Sequence, residues 1–163
     1  MSMKTTVVGS YPIPDWLAAM PSQQSLVDAM SVVLKTQENA GIDVIADGEL
    51  SRFNINHPET NGMIEYFVHP LENVRIGITR ADEAEFRKDE GMSFRARPSA
   101  VVEGRLGEGM LDLPGDYKLA RNLTDHSLKF TLTGPHMLSK TLLNRHYDST
   151  PDLCMALADL LAK

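Results

Sequence analysis

Short apolar runs alternate with helical patterns along the chain, and each run ends in a polar or glycine-containing corner. Residues 5–8 are β-branched and end at Gly9, and residues 42–46 resume strand character after Gly41, a residue type that commonly ends helices. Between them, a predicted helix capped by Ser22 has apolar positions at helical spacing: Leu26, Ala29, Met30, Val33, Leu34 and Ala40. A strand, a helix and a strand in this order predict a right-handed crossover that joins two parallel strands.

Two further strands and two further helices are predicted in the second half of the chain. Residues 99–105 have strand character, and residues 128–133 form a run that ends at a Gly-Pro corner. Residues 115–120 are typical of the beginning of a helix. Residues 150–162 predict an amphipathic helix with Thr150 as the N-cap and Pro151 in the first position.

The stretch between the second and third predicted strands is less regular. Residues 62–67 predict a short helix, and residues 79–91 are dense in charge, which is typical of a solvated segment. We therefore interpret residues at about 53–95 as an irregular excursion within a single domain that spans 1–163.

The alternation of strands and helices predicts an α/β fold of the TIM (β/α)8-barrel family. About four strand-helix units are present, whereas a closed barrel has eight and typically about 250 residues. A half-barrel would expose strand edges and part of an apolar interior. We therefore expect a truncated chain, or one half of a homodimer or of an assembly with a complementary half-barrel.

Composition narrows the classes of function. The net charge of −6 disfavours nucleic-acid binding, which normally needs a clustered basic face. Cys154 is the single cysteine, so the chain has no internal disulfide and no cysteine-rich zinc site, as is typical of the reducing cytosol. No apolar stretch approaches the roughly 20 residues that span a bilayer, and no signal-peptide core is present. A cytoplasmic protein is expected, without a membrane partner.

Candidate chemistry lies directly after the first two predicted strands. The carboxyl ends of parallel barrel strands converge on one cavity, so Ser10, Asp47 and Glu49 are expected near each other. Each has a structural alternative. Ser10 could satisfy a backbone donor within its turn, and either carboxylate could cap the next helix.

Four segments in a fixed order carry a family resemblance: Gly9-Ser10-Tyr11-Pro12, Gly41 to Glu49 with Arg52 following, Met63-Ile64-Glu65-Tyr66-Phe67, and Leu132-Thr133-Gly134-Pro135. Together they resemble the catalytic barrel of cobalamin-independent methionine synthase and its shorter single-barrel relatives. The resemblance extends over nearly the whole chain and corresponds to the N-terminal half of that barrel.

The resemblance implies a zinc-dependent methyl transfer to the thiol of homocysteine, with a methyl-folate as donor. Val8, Gly9 and Ser10 match the segment that holds the amino-acid part of homocysteine. Glu49 matches the carboxylate that receives its ammonium group, and Asp47 lies beside it. These five residues are the candidate substrate-binding set.

Arg95 and Arg97 resemble a segment on the folate side and are candidates for binding the second substrate, with ordinary surface charge as the alternative. The chain has Asp47-Gly48-Glu49 where the full synthases usually have His-Gly-Glu. This form is more like the short relatives, which include epoxyalkane:coenzyme M transferases. The identity of the thiol and of the alkyl donor therefore stays open.

The family's zinc ligands lie on later strands, and no credible set of them occurs in this sequence. Zinc is expected for a full-length family member, and the isolated chain is expected to be inactive.

Three hypotheses follow. The chain is part of a zinc-dependent thiol methyltransferase or alkyltransferase, acting on homocysteine or on another thiol such as coenzyme M. Alternatively, it is a non-catalytic half-barrel that binds a ligand. The third possibility is a barrel enzyme that uses only Glu49 or Asp47 for acid-base chemistry, without metal.

Overall fold

The computed structural model describes residues 3–88 and 95–163. Its helices are α1 (Asp15–Ala19), α2 (Gln23–Asn39), α3 (Glu65–Val68), α4 (Arg80–Phe86), α5 (Leu113–Arg121), α6 (Pro135–Ser139) and α7 (Thr150–Leu161), with one 3-10 turn at Leu50–Arg52. Its strands are β1 (Glu72–Arg75), β2 (Ala100–Gly107) and β3 (Leu142–Asn144). These elements form two compact units. The first unit comprises Met1–Gly62 and Asp112–Leu132, and the second comprises Met63–Leu111 and Thr133–Lys163.

Helix α2 organises the first unit, and its prediction is confirmed. The Ser22 hydroxyl accepts a hydrogen bond from the Ser25 N–H (3.0 Å), which satisfies one of the free donors at the helix start. Gly41 ends the helix with a φ of 73°, a conformation that suits glycine. The expected apolar position at Ala40 is wrong because Ala40 is exposed beyond the last turn, and Gln37 is buried in its place.

The strand segments of the first unit pair in parallel, as predicted, but only through single bridges. Thr6 pairs with Val44, and Ile45 pairs with Leu128. The Ile45 N–H donates to the Ser127 carbonyl (2.9 Å), and the Ile45 carbonyl accepts from the Lys129 N–H (2.9 Å). The ladder is short because side chains, and not a neighbouring strand, form hydrogen bonds with the adjacent backbone groups.

Gln37 is one of these side chains. Its amide donates to the Ala46 carbonyl (2.7 Å) and accepts from the Ala46 N–H (3.0 Å). The buried amide therefore replaces a strand partner for Ala46, directly before the corner at Asp47. At the other end of this segment, the Asp43 carboxylate accepts from the Thr5 N–H (2.7 Å).

The core of the first unit lies between α2 and elements on both sides of it in the sequence. Helix α5 contributes Ala120 and begins at Leu113, directly after its Asp112 N-cap, so the helix start predicted at Gly115 is two residues late. Leucine and other apolar side chains dominate the buried cluster, which consists of Leu17, Leu26, Ala29, Met30, Val33, Leu50 and Ala120.

A three-stranded sheet of order β1-β2-β3 forms the second unit. Strand β2 confirms the strand predicted at 99–105, and it pairs antiparallel with β1 and parallel with β3. Neither outer strand is predicted from the sequence. Strand β1 is four residues long and mostly polar, and β3 has three residues, so neither carries a recognisable periodicity.

Helix α4 corrects the interpretation of residues 79–91 as a solvated segment. Thr79 and Asp82 form a capping box at its start, and Asp82 and Phe86 are buried. Phe86 packs against Val101 and Leu143. The charge pattern concealed these inward-facing positions, and residues 89–91 of the predicted segment lie outside the described residues.

Asp82 is surrounded by donors. Its carboxylate accepts from both terminal nitrogens of Arg75 (3.1 and 3.2 Å), from the Thr79 N–H and hydroxyl (2.7 Å each), and pairs with Arg145 (2.8 Å). The hydrogen bonds from Arg75, followed by those from Thr79, hold the pKa of Asp82 well below its usual value.

Two helix starts and one strand differ from the prediction. The short helix predicted at 62–67 is α3, which begins at Glu65. Ser149, not Thr150, caps α7, because its hydroxyl accepts from the Asp152 N–H (3.2 Å). The strand predicted at 128–133 pairs only through Leu128 and is not a continuous strand.

Among the described residues, no helix has both the length and the apolar character needed to cross a membrane.

The low pKa of Asp82 predicts how the second unit responds to acid. A carboxyl group whose pKa is lower in the folded chain stabilises the fold above its unfolded value, roughly pH 3.9, and this stabilisation is lost as the pH falls towards the folded pKa. Asp82→Asn should therefore lower the free energy of unfolding at pH 7 and flatten its decline in acid. Urea denaturation at several pH values measures both effects. Glu103→Gln, which removes a half-exposed partner of Arg75, is the control and should change the acid slope little. An unchanged slope in Asp82→Asn would contradict this account.

Candidate functional site

The corner at residues 47–49 places Glu49 next to the turn that carries Ser10. Gly48 and Glu49 both have a positive φ, 70° and 61°, so the chain reverses sharply after the strand segment. The Tyr11 N–H donates to the Gly48 carbonyl (2.8 Å) and fixes the two turns together. A Cβ atom at Gly48 would lie 2.7 Å from the Tyr11 Cβ and 2.9 Å from the Val33 Cγ1. The two turns can therefore lie this close together only with glycine at position 48.

Donors from three segments hold the Glu49 carboxylate. The Ser10 hydroxyl donates to Oε2 (2.5 Å), and the Thr131 hydroxyl donates to Oε1 (3.0 Å). The Arg52 Nη1 lies 3.2 Å from Oε2. The Glu49 side chain is still 15 % exposed, so this fixed carboxylate is accessible from outside.

Arg52 links Glu49 to the segment that contains Thr131. Its Nη2 donates to the Thr131 carbonyl (2.7 Å) and to the Thr131 hydroxyl oxygen (2.9 Å). The Arg52 side chain is only 5 % exposed, so its permanent charge is compensated by Glu49 inside the unit. We call Ser10, Glu49, Arg52 and Thr131 the Glu49 cluster.

The structure thus brings together two predicted residues, Ser10 and Glu49, and adds two that sequence reasoning did not assign to the site. Arg52 was noted only as part of a motif, although its position three residues after Glu49 is a spacing at which charged side chains meet. No sequence pattern indicated Thr131, because only the fold of the segment after Leu128 brings it close to Glu49.

Asp47 is buried, with 1 % of its surface exposed, and its oxygens accept from backbone groups. The Glu49 N–H donates to Oδ1 (3.0 Å), and the Ser51 N–H donates to Oδ2 (3.2 Å). These contacts make Asp47 the cap of the corner and of the 3-10 turn that follows.

Val8 and Gly9 lie on the open side of the Ser10 turn. Val8 is 86 % exposed, and Gly9 has a φ of 104° with no atom within 4 Å of the position that a Cβ would take. Arg95 and Arg97 belong to the second unit and pair with carboxylates there. Arg95 lies 3.7 Å from Glu65, and Arg97 lies 2.7 Å from Glu83.

The described residues of the chain do not form a site that fits a metal ion. Within 3–88 and 95–163, no group of three or more His, Cys, Asp or Glu side chains could hold one. The Glu49 cluster offers a single carboxylate with an arginine beside it, whereas catalytic zinc needs three protein ligands. What the cluster can provide is a rigid, ionic hydrogen-bond acceptor for a small polar ligand.

Comparisons with known proteins identify relatives of the chain. A methionine synthase from Saccharolobus islandicus (strain Y.N.15.51) is 30% identical over 169 residues, which cover 96% of this chain and 46% of the relative. A methionine synthase from Sulfurisphaera tokodaii is 29% identical over 173 residues, covering 98% and 46%. The chain therefore spans about half the length of the curated relatives it matches.

A solved structure is also similar. The B12-independent methionine synthase from Shewanella sp. W3-18-1, in complex with selenomethionine, matches 96% of this chain and 45% of its own chain, with a TM-score of 0.71 and 26% identity. No protein-family model matches the sequence.

The close contact at Gly48 predicts a large effect of adding one methyl group there. Gly48→Ala should be destabilised both by its positive φ, by about 1 kcal/mol, and by the clash with Tyr11 and Val33, by about 1–3 kcal/mol more. Gly41→Ala is the matched control, since Gly41 has nearly the same φ but open space around it. Chemical denaturation gives both values. Equal losses in the two variants would show that the approach of the two turns does not need glycine.

Proposed function

We propose that this chain, which belongs to the cobalamin-independent methionine synthase family, holds the amino-acid part of homocysteine in a methionine-synthase-like methyl transfer. The observation that carries the proposal is the Glu49 carboxylate, fixed by Ser10, Thr131 and Arg52 and still accessible. The fold that we propose is about the first four units of a (β/α)8 barrel, with these residues at its strand ends.

The chemistry of the cluster fits an α-amino acid. An ammonium group that meets Glu49 forms charge-assisted hydrogen bonds, and the exposed turn from Val8 to Ser10 offers backbone donors for a carboxylate. The Shewanella relative forms a complex with selenomethionine, an amino acid that has both groups. In this proposal Asp47 acts by holding the corner, and Arg95 and Arg97 remain candidates for the second substrate.

Activation of the sulfur needs residues beyond those described. Zinc in this family would supply a deprotonated thiol, and no described residue set fits the metal. We propose that the remaining half of the family fold provides this chemistry, as further sequence of the same polypeptide or as a complementary chain. The half-length match to the relatives and exposed apolar side chains such as Val8 and Met20 support this proposal. The lone Cys154 and a thiol substrate suit a reducing, cytoplasmic location.

The competing substrate is another thiol such as coenzyme M. Coenzyme M carries a sulfonate and no ammonium group, so a carboxylate at the binding turn offers it no favourable charge. The Glu49 cluster therefore favours an amino acid, and a ligand series can separate the two.

Binding of amino-acid ligands to the chain tests the role of Glu49. We expect L-methionine to shift the amide signals of Gly9, Ser10 and Glu49 in NMR titrations, with a dissociation constant on the order of 1 mM, about 4 kcal/mol of binding free energy. Glu49→Gln should weaken binding at least about tenfold, since it removes the charge that faces the ammonium group. Glu59→Gln is the control, because Glu59 is 76 % exposed in the same unit. Equal affinity for methionine in wild type and Glu49→Gln, or tighter binding of coenzyme M, would overturn the proposal.

Metal content and mass in solution test the missing half. The purified chain, supplied with zinc, should retain well below one zinc per chain and should show no methyl transfer to homocysteine, because residues 3–88 and 95–163 contain no ligand set. Light scattering then shows whether the 18.0 kDa chain is a monomer or a homodimer. Full-length synthase from Saccharolobus solfataricus, treated identically, is the positive control. One zinc per chain together with activity would refute the requirement for further residues.

A further inference from the structure

We propose that Arg52 and Thr131 are positioning residues for Glu49, and that the charge of Arg52 makes the site select a zwitterionic amino acid over a simple amine. The first half of this inference concerns the free chain alone, and the second half rests on the proposed function.

The contacts among the three side chains form a closed ring. Arg52 Nη1 lies 3.2 Å from Glu49 Oε2, Arg52 Nη2 donates to Thr131 Oγ1 (2.9 Å), and Thr131 Oγ1 donates to Glu49 Oε1 (3.0 Å). Because arginine only donates and an ionised carboxylate only accepts, the Thr131 hydroxyl proton must point to Glu49. Each oxygen of the carboxylate therefore has a defined donor, and its orientation is determined before any ligand binds.

Burial separates the roles of the two charged residues. Arg52 is almost completely enclosed, whereas Glu49 keeps the larger exposed fraction, 15 % against 5 %. A ligand can therefore reach Glu49, while Arg52 acts on the ligand through Glu49 and through its charge. Thr131 extends this support to the backbone, because its carbonyl also accepts from Arg52 (2.7 Å).

The backbone around the pair restricts both side chains. Glu49 has a positive φ, which sets the direction of its Cα–Cβ bond, and Asp47 holds its N–H. Gly62 lies against Arg52, since a Cβ atom there would be 3.1 Å from the Arg52 Cβ. The guanidinium and the carboxylate consequently meet in one arrangement instead of many.

The charge balance of the ring determines the selectivity. The charges of Glu49 and Arg52 add to zero. A ligand with a net positive charge is therefore attracted by Glu49 and repelled by Arg52 at short range. A zwitterion carries no net charge, so the repulsion between Arg52 and its ammonium group is offset by the attraction between Arg52 and its carboxylate. A solvent-exposed ion pair at the same spacing would contribute little to selectivity, because water screens its charges. The burial of Arg52 makes the contribution appreciable.

The positioning role can be tested in the ligand-free chain by 13C NMR of the Glu49 carboxyl carbon. Thr131→Val and Arg52→Met should move this signal towards that of the exposed Glu59, whereas Thr131→Ser and Arg52→Lys should retain most of the wild-type shift. Thr133→Val is the matched control, because the buried Thr133 hydroxyl donates to the Met63 carbonyl (2.6 Å). If Arg52→Met does not fold, Thr131→Val decides the question. A Glu49 signal that is unmoved in Thr131→Val, or equally moved in Thr133→Val, overturns the positioning role.

Selectivity is measured by the ratio of affinities for L-methionine and L-methioninol, which has the ammonium group and no carboxylate. The wild-type chain should favour methionine at least about tenfold, Arg52→Lys should keep this preference, and Arg52→Met should reduce it at least about fivefold. An unchanged ratio in Arg52→Met overturns the selectivity. If wild type binds neither compound, the proposed function and the selectivity both fail, while the Glu49 signal still decides the positioning role.

Discussion

The structure of the first unit depends on two successive residues in left-handed conformation, Gly48 and Glu49, directly after a strand segment. The reversal brings the Gly48 carbonyl to the Tyr11 N–H and so joins the ends of two parallel segments. A non-glycine residue at positive φ is uncommon and costs conformational energy, which the surrounding contacts must offset. The Asp47 carboxylate, which accepts from the Glu49 and Ser51 N–H groups, provides some of those contacts, and the donors around the Glu49 carboxylate provide the others. The strained residue is thus also the one with a fixed, accessible charge.

Asp82 and Glu49 both pair with arginines, and their surroundings differ. Asp82 in the second unit is buried and receives bonds from Arg75, Arg145 and Thr79, so its oxygens are fully used by the protein. Its low pKa reflects this saturation, and its role is to hold α4 against the sheet. Glu49 has fewer donors and remains partly exposed. Perturbed carboxylates often mark functional sites, but here the most perturbed one is structural and the accessible one is the better candidate.

The chain is similar to methionine synthases over about half of their length. Its described residues contain a fixed, accessible carboxylate at Glu49 and no group of three or more side chains that could hold a metal ion. In (β/α)8 barrels, different strand ends supply different parts of the site. The proposed function therefore assigns the substrate contacts to this half of the fold and the metal to the other half.

Local sequence determined the elements with strong periodicity or caps. Helix α2 with its Ser22 cap and Gly41 end, strand β2, and the extent of α7 could all be predicted, because each depends on neighbours in sequence. The ordered motifs likewise indicated the methionine synthases to which the chain is similar, and the convergence of parallel strand ends predicted that Ser10 and Glu49 lie close together.

Tertiary structure alone decided the rest. Strands β1 and β3 are too short to show a pattern and exist because β2 pairs with them. The burial of Asp82 inside a charged segment depends on two arginines outside that segment, Arg75 and Arg145. Thr131 approaches Glu49 across 82 residues of sequence, so only the folded chain reveals that it supports the carboxylate. Contacts between residues far apart in sequence leave no local pattern, and in this protein they are the contacts that complete the candidate site.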